Sequence, residues 1–127
     1  MLELIKKKYP TAICWSFGDN PQLADELAQL VVERKKTATC SSLSGFFSDP
    51  VTPTIGGYNI ILNSHGVPIC VIRTRSLTLV RFSEVTEQLA RKEGEGDLSL
   101  SYWQQGHKEF FMREGTYSPD MELIFEE

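Results

Sequence analysis

The segment RKKTAT at residues 34–39 contains the residue types best suited to hydrolytic chemistry. A lysine acts as a general base only when desolvation or a neighbouring cation lowers the pKa of its amine, and a threonine hydroxyl becomes a nucleophile only beside such a base. Thr37 and Thr39 project from the same face of a strand, so spacing does not decide which of them meets Lys36. The simpler interpretation is a helix end whose cations favour the helix dipole, followed by a β-branched strand.

Histidine and cysteine side chains are too few for a metal site to be predicted. His65 and His107 are the only histidines, and neither lies at a spacing that gathers several ligands. His65 fits a turn, and His107 lies on an apolar helical face, where we interpret it as a core or rim residue that donates one hydrogen bond. Cys40 follows Thr39 in a presumed strand and must point to the opposite face, so we assign the core side to the cysteine.

Cysteine usage and the N-terminal residues bear on the compartment. Cys14, Cys40 and Cys70 form no CxxC pair and are odd in number, which favours a reducing compartment, and we expect the cytoplasm. Three lysines at residues 6–8 are followed by YPT rather than by an apolar run. The sequence therefore predicts neither a secretion signal nor a membrane anchor.

The charge balance limits the kind of nucleic-acid binding to expect. A formal net charge of -4 argues against broad, charge-driven binding to long nucleic acid, which depends on neutralising many phosphates. Local basic patches remain at residues 34–36 and at Arg73 and Arg75, whose side chains share one face of a strand. The alternative for the two arginines is the solvated outer face of a sheet.

The first half of the chain predicts a helix, a short strand and a loop. Asn20 and Pro21 suit the N-cap and first position of a helix whose apolar stripe ends near residue 33 or 34. Residues 37–41 predict a strand, and residues 43–54, rich in Gly, Pro, Ser and Thr, predict a surface loop able to cover a site. The adjacent aromatics of that loop, Phe46 and Phe47, can stack a base, but we favour a role in pinning the loop to the core.

The second half alternates strands and helices. Residues 58–62 and 67–80 predict a hairpin whose long second strand bends, as strands do when a small sheet curls toward a barrel. Ser83 suits the cap of a helix that runs to about residue 92, where the acidic, glycine-rich segment 93–97 breaks it. A further helix ends at Gly115 and a strand at residues 121–125 follows, which makes the class mixed α+β.

Several of these segments occur in the same order in ASCH proteins, and the sequence resembles that family over nearly its whole length. The matching segments are FGD at 17–19, LADEL at 23–27, KKTAT at 35–39, EGEGD at 93–97, YW at 102–103 and FF at 110–111. The resemblance implies a single ASCH domain over residues 1–127, built as a PUA-like small curled β-barrel flanked by helices. It also implies a polar cleft suited to a nucleobase or an RNA segment.

The resemblance further implies candidate catalytic residues. Some small ASCH proteins are amidohydrolases that remove the acyl group of N4-acetylcytidine with a lysine, a threonine and a glutamate. By motif match, these roles fall on Lys36, Thr39 and Glu93. The helix around Trp103 is similar to that of another branch of the family, which is associated with RNA binding and RNA cleavage.

Two noncatalytic alternatives are a module that binds RNA and a domain that senses a small metabolite. In the RNA-binding alternative, Lys36, Arg73 and Arg75 hold phosphate and Tyr102 or Trp103 stacks a base. Lys35 is a further candidate contact with RNA or substrate. We expect RNA or a modified nucleoside as the partner, with no cofactor, no membrane and no obligate protein partner.

Overall fold

The computed structural model of the chain describes residues 1–127 and contains six strands and five α-helices. The helices are α1 (Leu2–Lys8), α2 (Pro21–Val32), α3 (Leu43–Ser48), α4 (Glu87–Lys92) and α5 (Leu100–Glu114), with a short 3₁₀ helix at Phe82–Glu84. The strands are β1 (Ile13–Trp15), β2 (Thr39–Ser42), β3 (Tyr58–Leu62), β4 (Pro68–Arg73), β5 (Leu77–Arg81) and β6 (Glu122–Glu126). The predicted mixed α+β class is confirmed.

The strands form two three-stranded sheets. In the first, β3 lies between β1, to which it is parallel, and β4, to which it is antiparallel. In the second, β6 lies between β2 and β5 and is antiparallel to both. The predicted long strand at 67–80 does bend, and the bend divides it so that β4 and β5 belong to different sheets. Because no ladder joins the two sheets, the expected barrel is not closed.

A chain of buried and partly buried hydrogen bonds links the two sheets where β4 leads into β5. Trp15 Nε1 donates to Asn59 Oδ1 at 2.9 Å, and Asn59 Nδ2 donates to Thr74 Oγ1 at 3.0 Å. Thr74 Oγ1 in turn donates to Glu126 Oε1 at 2.8 Å. Buried polar groups need partners of this kind, so the chain fixes β1 and β3 relative to β6.

Each sheet has its own apolar core. One face of the first sheet packs on α2, where Phe17, Leu27, Ala28 and Ile61 are buried. The second sheet packs on α5, and the buried residues of that core are Ala38, Phe82, Val85, Ala90, Trp103, Phe111, Leu123 and Phe125. The predicted caps of α2 and α5 are confirmed, since the Asn20 side chain accepts from Leu23 N and Gly115 ends α5 in a left-handed conformation.

Three sequence predictions need correction. The predicted loop at 43–54 begins with helix α3, because the Ser42 side chain caps it by accepting from Gly45 N. The predicted helix at 83–92 begins later, since Thr86 rather than Ser83 is the N-cap of α4. Phe46 and Phe47 join neither apolar core, so they do not pin the segment as expected.

None of the helices combines the length and apolarity required to cross a membrane.

Candidate active site

The end of α2 brings Lys36 against the segment that follows α4. Arg34 adopts a left-handed conformation with φ of 63°, after which the amides of Lys35 and Lys36 both donate to Leu30 O. The next two amides, of residues 37 and 38, donate to Lys92 O at 2.6 and 3.0 Å. Gly94 permits this approach, because it has φ of 73° and a Cβ at this position would overlap the carbonyl of Lys35.

Lys36 is buried within a set of oxygen acceptors. Its Nζ lies 3.3 Å from Glu95 Oε2, 3.7 Å from Glu93 Oε1 and 3.3 Å from the carbonyl oxygen of Glu93. The ammonium also lies 5.5 Å from the centroid of the Phe17 ring, a cation–π distance. A buried ammonium is stable only when paired in this way, so the arrangement fixes the amine in position.

Glu93 is the most heavily contacted carboxylate of the site, and it is 1% exposed. Its Oε2 accepts hydrogen bonds from the indole N–H of Trp103 and, at 2.8 Å, from His107 Nε2. Burial alone raises the pKa of a carboxyl group, but the Lys36 ammonium and these hydrogen bonds outweigh it and hold the pKa of Glu93 below its ordinary value. Glu93 is therefore ionised at neutral pH.

His107 faces an acceptor with each of its ring nitrogens. Nδ1 lies 2.9 Å from the carbonyl oxygen of Trp103, and Nε2 contacts the Glu93 carboxylate. Burial by itself lowers the pKa of His107, but the hydrogen bond and charge of Glu93 outweigh it, so the pKa lies above its ordinary value. With two acceptors in place, the imidazolium form satisfies both nitrogens. Its ring stacks on Trp103 with centroids 4.2 Å apart.

His107 was not predicted as a member of the site. The helical period correctly placed it on the same face as Trp103, but its acid partner, Glu93, lies on another element. The available signal was a histidine four residues after a tryptophan on an apolar helical face. At this spacing the imidazole ring lies over the indole.

Cys40 completes the buried polar cluster. Burial, followed by the negative charge of Glu93, raises the pKa of the Cys40 thiol well above its ordinary value, so this side chain is a thiol and not a reactive thiolate. Potential metal-ligating atoms of Cys40, Glu93 and His107 lie within 4.8 Å of one another. The Lys36 ammonium beside the same carboxylate opposes a bound cation, and the hydrogen bonds of the cluster already account for its geometry.

Three adjoining cavities surround this cluster, and Phe17 and Thr39 line all of them. The ion-pair cavity, of about 310 Å³, is lined by Lys36, Glu93, Glu95, Tyr102, Trp103 and His107 among others. The cationic groove, of about 670 Å³, is lined by Arg34, Lys36, Arg73, Arg75 and Lys92. The aromatic cavity, of about 500 Å³, is lined by Trp15, Phe46, Pro53, Ser41 and Glu126. Thr39 thus lies where all three spaces meet.

The structure groups the predicted site residues unequally. The candidate catalytic residues Lys36, Thr39 and Glu93 line the ion-pair cavity together. The hydroxyl of Thr39 makes no hydrogen bond to Lys36, whose amine is directed to the carboxylates. Arg73 and Arg75 are exposed and line the adjoining cationic groove.

The remaining predicted residues differ in what they offer a ligand. Lys35 is exposed, pairs with Glu33 at 3.5 Å and lines none of the three cavities. Trp103 is 3% exposed, and its ring packs between His107 and Phe125, which leaves no face for a base. Tyr102 is half exposed at the cavity rim.

Comparison with known proteins agrees with this architecture. A family model described as the ASCH domain matches residues 13–127. The crystal structure of an ASCH domain from Lactobacillus crispatus is similar, with 32% identity and a TM-score of 0.85, over 97% of this chain and 81% of that one. Protein EF3133 from Enterococcus faecalis is 32% identical with a TM-score of 0.81, over 98% of this chain and 86% of that one. No curated protein gives a significant match. The chain belongs to the ASCH domain family.

Proposed function

We propose that this ASCH domain binds a modified nucleoside, free or within RNA, and hydrolyses the N4-acyl amide bond of cytidine. The observation that carries the proposal is the buried Lys36–Glu93 ion pair, which lines one cavity with Thr39. Buried ion pairs are a costly way to stabilise a fold, so an ion pair that borders a cavity favours a functional role. The family resemblance supplies the reaction class.

The proposed reaction begins with activation of Thr39. A neutral Lys36 amine takes the proton from the Thr39 hydroxyl as its oxygen attacks the acyl carbon. To become neutral, the ammonium first transfers its proton to Glu95, whose Oε2 lies 3.3 Å from Nζ, because the contacts of Glu93 keep that carboxylate ionised. Lys36 and Thr39 do not touch in the free protein, and such contacts commonly tighten only when substrate is bound.

The tetrahedral intermediate then breaks down with the amine as the leaving group. The carbon–nitrogen bond breaks, the N4 nitrogen takes the proton from the Lys36 ammonium, and the acyl group remains on Thr39 as an ester. Water next attacks the ester carbon while its proton passes to Lys36, and the departing Thr39 oxygen regains a proton from the lysine. The products are cytidine and a carboxylic acid, and the proton held by the carboxylate returns to Lys36, which restores the starting ion pair.

A second candidate function is noncatalytic RNA binding, which the cationic groove supports. Four of its lining residues, Arg34, Arg73, Arg75 and Lys92, are exposed cations, and phosphate contacts of this kind position RNA without reading its sequence. Arg73 is partly fixed, because its Nε donates to the carbonyl of Gly56 at 3.0 Å. This alternative predicts RNA affinity that falls with salt and no turnover.

Turnover of N4-acetylcytidine by site variants tests the proposal. We expect Lys36→Arg and Thr39→Ala to lose about 100-fold or more in kcat, because arginine keeps the charge but cannot act as a base. Thr37→Ala is the matched control, since Thr37 is exposed and does not line the ion-pair cavity, and it should stay within about twofold of wild type. Chromatographic detection of cytidine measures the product.

Two outcomes contradict hydrolysis by this mechanism. Full activity in both Lys36→Arg and Thr39→Ala would remove these residues from the reaction. Absence of turnover in the wild type, together with binding of short single-stranded RNA that weakens in Arg73→Ala and Arg75→Ala, would favour the noncatalytic function. Cleavage of that RNA in the same assay would instead identify the phosphodiester as the bond that is broken.

A further inference from the structure

We propose that the aromatic cavity holds the pyrimidine ring of the substrate, with Phe46 as a stacking face and Glu126 as the group that hydrogen bonds to the edge of the base. The inference deepens the proposed function and rests on it only for the nucleoside class of the ligand. It assigns the base to the aromatic cavity and the acyl group to the ion-pair cavity, with Thr39 between them.

The walls of this cavity are aromatic side chains from separate elements. Trp15 comes from β1 and Phe46 from α3, and Phe17 lies on the side shared with the ion-pair cavity. Trp15 donates its only N–H to Asn59, so what it presents to the cavity is apolar ring surface. Every nucleobase has a π face that stacks on such surfaces, and about 500 Å³ is within the range of small-molecule sites.

The two adjacent phenylalanines of α3 are not equivalent. Phe46 is half-buried and lines the aromatic cavity, whereas Phe47 is 75% exposed and does not. Neither belongs to an apolar core, and the one aromatic ring in contact with Phe46 is that of Phe47, with centroids 6.0 Å apart. A ligand in the cavity gives the Phe46 ring a second partner.

Glu126 supplies a polar group that lacks an ionic partner. One carboxyl oxygen accepts from Thr74 Oγ1, and no lysine, arginine or histidine pairs with the residue, although it is half-buried. Burial raises the pKa of Glu126 above its ordinary value. A carboxylate accepts hydrogen bonds and its protonated form also donates one, and the edge of a pyrimidine carries both donor and acceptor atoms.

The shared lining residues connect this cavity to the reactive groups. Phe17, Gly18, Thr39 and Cys40 line both the aromatic and the ion-pair cavities. A ring that occupies the aromatic cavity therefore has its exocyclic substituent directed past Thr39 toward Lys36 and Glu93. This is the arrangement that attack on an N4-acyl group requires.

Calorimetric titration of cytidine, the expected product, tests the assignment without depending on catalysis. We expect Phe46→Leu, which keeps bulk but removes the π face, to raise the Kd for cytidine about tenfold. Phe46→Trp, which keeps a π face, should bind cytidine about as well as the wild type does. Phe47→Leu is the matched control and should change the Kd by less than about twofold. Glu126→Gln, which keeps a donor and an acceptor, should bind cytidine, and Glu126→Met should weaken it about tenfold. Melting curves identify any variant that fails to fold.

The outcomes separate this inference from the proposed hydrolysis. Equal effects of Phe46→Leu and Phe47→Leu, or unchanged binding in a folded Glu126→Met, would overturn the assignment of the base even if the enzyme hydrolyses N4-acetylcytidine. Binding that depends on Phe46 and Glu126 in a protein without turnover would uphold the assignment and remove the hydrolysis. Lack of any cytidine binding by the wild type overturns the assignment.

Discussion

Lys36, Glu93, Glu95 and His107 form a small buried cluster whose charges cancel when His107 is protonated. The cluster then holds two cations and two anions, each within hydrogen-bonding or ion-pair distance of another member. Loss of the histidine proton leaves a net negative charge in a poorly solvated place, which is unfavourable. The protonation of His107 therefore couples the fold to pH.

The pKa of His107 gives this coupling a direction. Because the folded pKa lies above the ordinary value of 6.5, the stabilisation is fully present below pH 6.5 and is lost as the pH rises through the folded pKa. The pKa of Glu93 is lowered, so its contribution is lost only when the pH falls below its ordinary value of 4.5. Between pH 4.5 and pH 6.5 the cluster therefore contributes most to the free energy of unfolding.

Replacement of His107 by glutamine tests this coupling. We expect His107→Gln to be less stable than wild type at acid to neutral pH, by about 3 kcal/mol or less, because it removes one partner of a buried ion pair. The difference in free energy of unfolding should shrink as the pH rises above 6.5 and through the folded pKa of His107. Urea denaturation at several pH values measures it.

The second histidine provides the control for that experiment. His65 is exposed in the turn between β3 and β4, so His65→Gln should leave the pH dependence unchanged. A difference between wild type and His107→Gln that is constant over the whole pH range would show that the histidine acts only by packing.

The residues of the site were partly predictable from sequence, for identifiable reasons. Lys36 and Glu93 were found through motifs, and the structure places them in one cavity. The contacts of Glu126 with Thr74 and of His107 with Glu93 were not found, because each joins residues of different elements. Periodicity describes one element at a time and carries no information on such pairs.

The contact between the end of α2 and the end of α4 positions Lys36, and it depends on a single glycine. Gly94 combines a left-handed backbone with a close approach to the Lys35 carbonyl. Gly94→Ala therefore introduces backbone strain of about 1–2 kcal/mol and also forces the two segments apart. We expect a lower melting temperature and loss of most turnover, since Lys36 moves away from Glu93.

Gly66 separates these two effects. It has nearly the same φ, 74°, but a Cβ there meets nothing within 4 Å. Gly66→Ala should therefore show the backbone strain alone and keep its activity. Equal losses of stability and activity in the two variants would mean that the close approach at Gly94 does not position the site.

The elements were predicted well where the hydrophobic periodicity is uninterrupted. They were predicted poorly where an N-cap hydrogen bond determines where a helix begins. The bounds of β3 at 58–62 agree, as do the cap of α2 and the end of α5. Helix α3 was missed, because its glycine and serines have low helix propensity and the Ser42 cap offsets this only in part. Ser83 was predicted as the N-cap of the helix that ends at residue 92, whereas Thr86, whose hydroxyl suits that position as well, caps α4.

The relative position of the two sheets determines whether the three cavities meet, since each cavity has walls from both halves of the molecule. The sheets share no ladder, and the hydrogen-bond chain from Trp15 through Asn59 and Thr74 to Glu126 is one of the contacts that join them. The sequence predicted a bend between β4 and β5 but not this polar junction.

Replacement of Thr74 by valine tests the junction, because the two side chains have the same shape and only the hydroxyl is lost. The change removes the hydroxyl that accepts from Asn59 Nδ2 and donates to Glu126 Oε1, and leaves Nδ2 only a 3.5 Å contact with the carbonyl of Gly57, so we expect it to cost about 1–3 kcal/mol in the free energy of unfolding. Thr78→Val, at an exposed position of β5, is the matched control and should be neutral or slightly stabilising. Since Glu126 then loses the bond that fixes it, cytidine affinity should fall in Thr74→Val and remain unchanged in Thr78→Val. Equal stability and equal affinity of the two variants would mean that backbone contacts, such as the 2.6 Å bond from Arg75 N to Glu127 O, suffice to hold the sheets together.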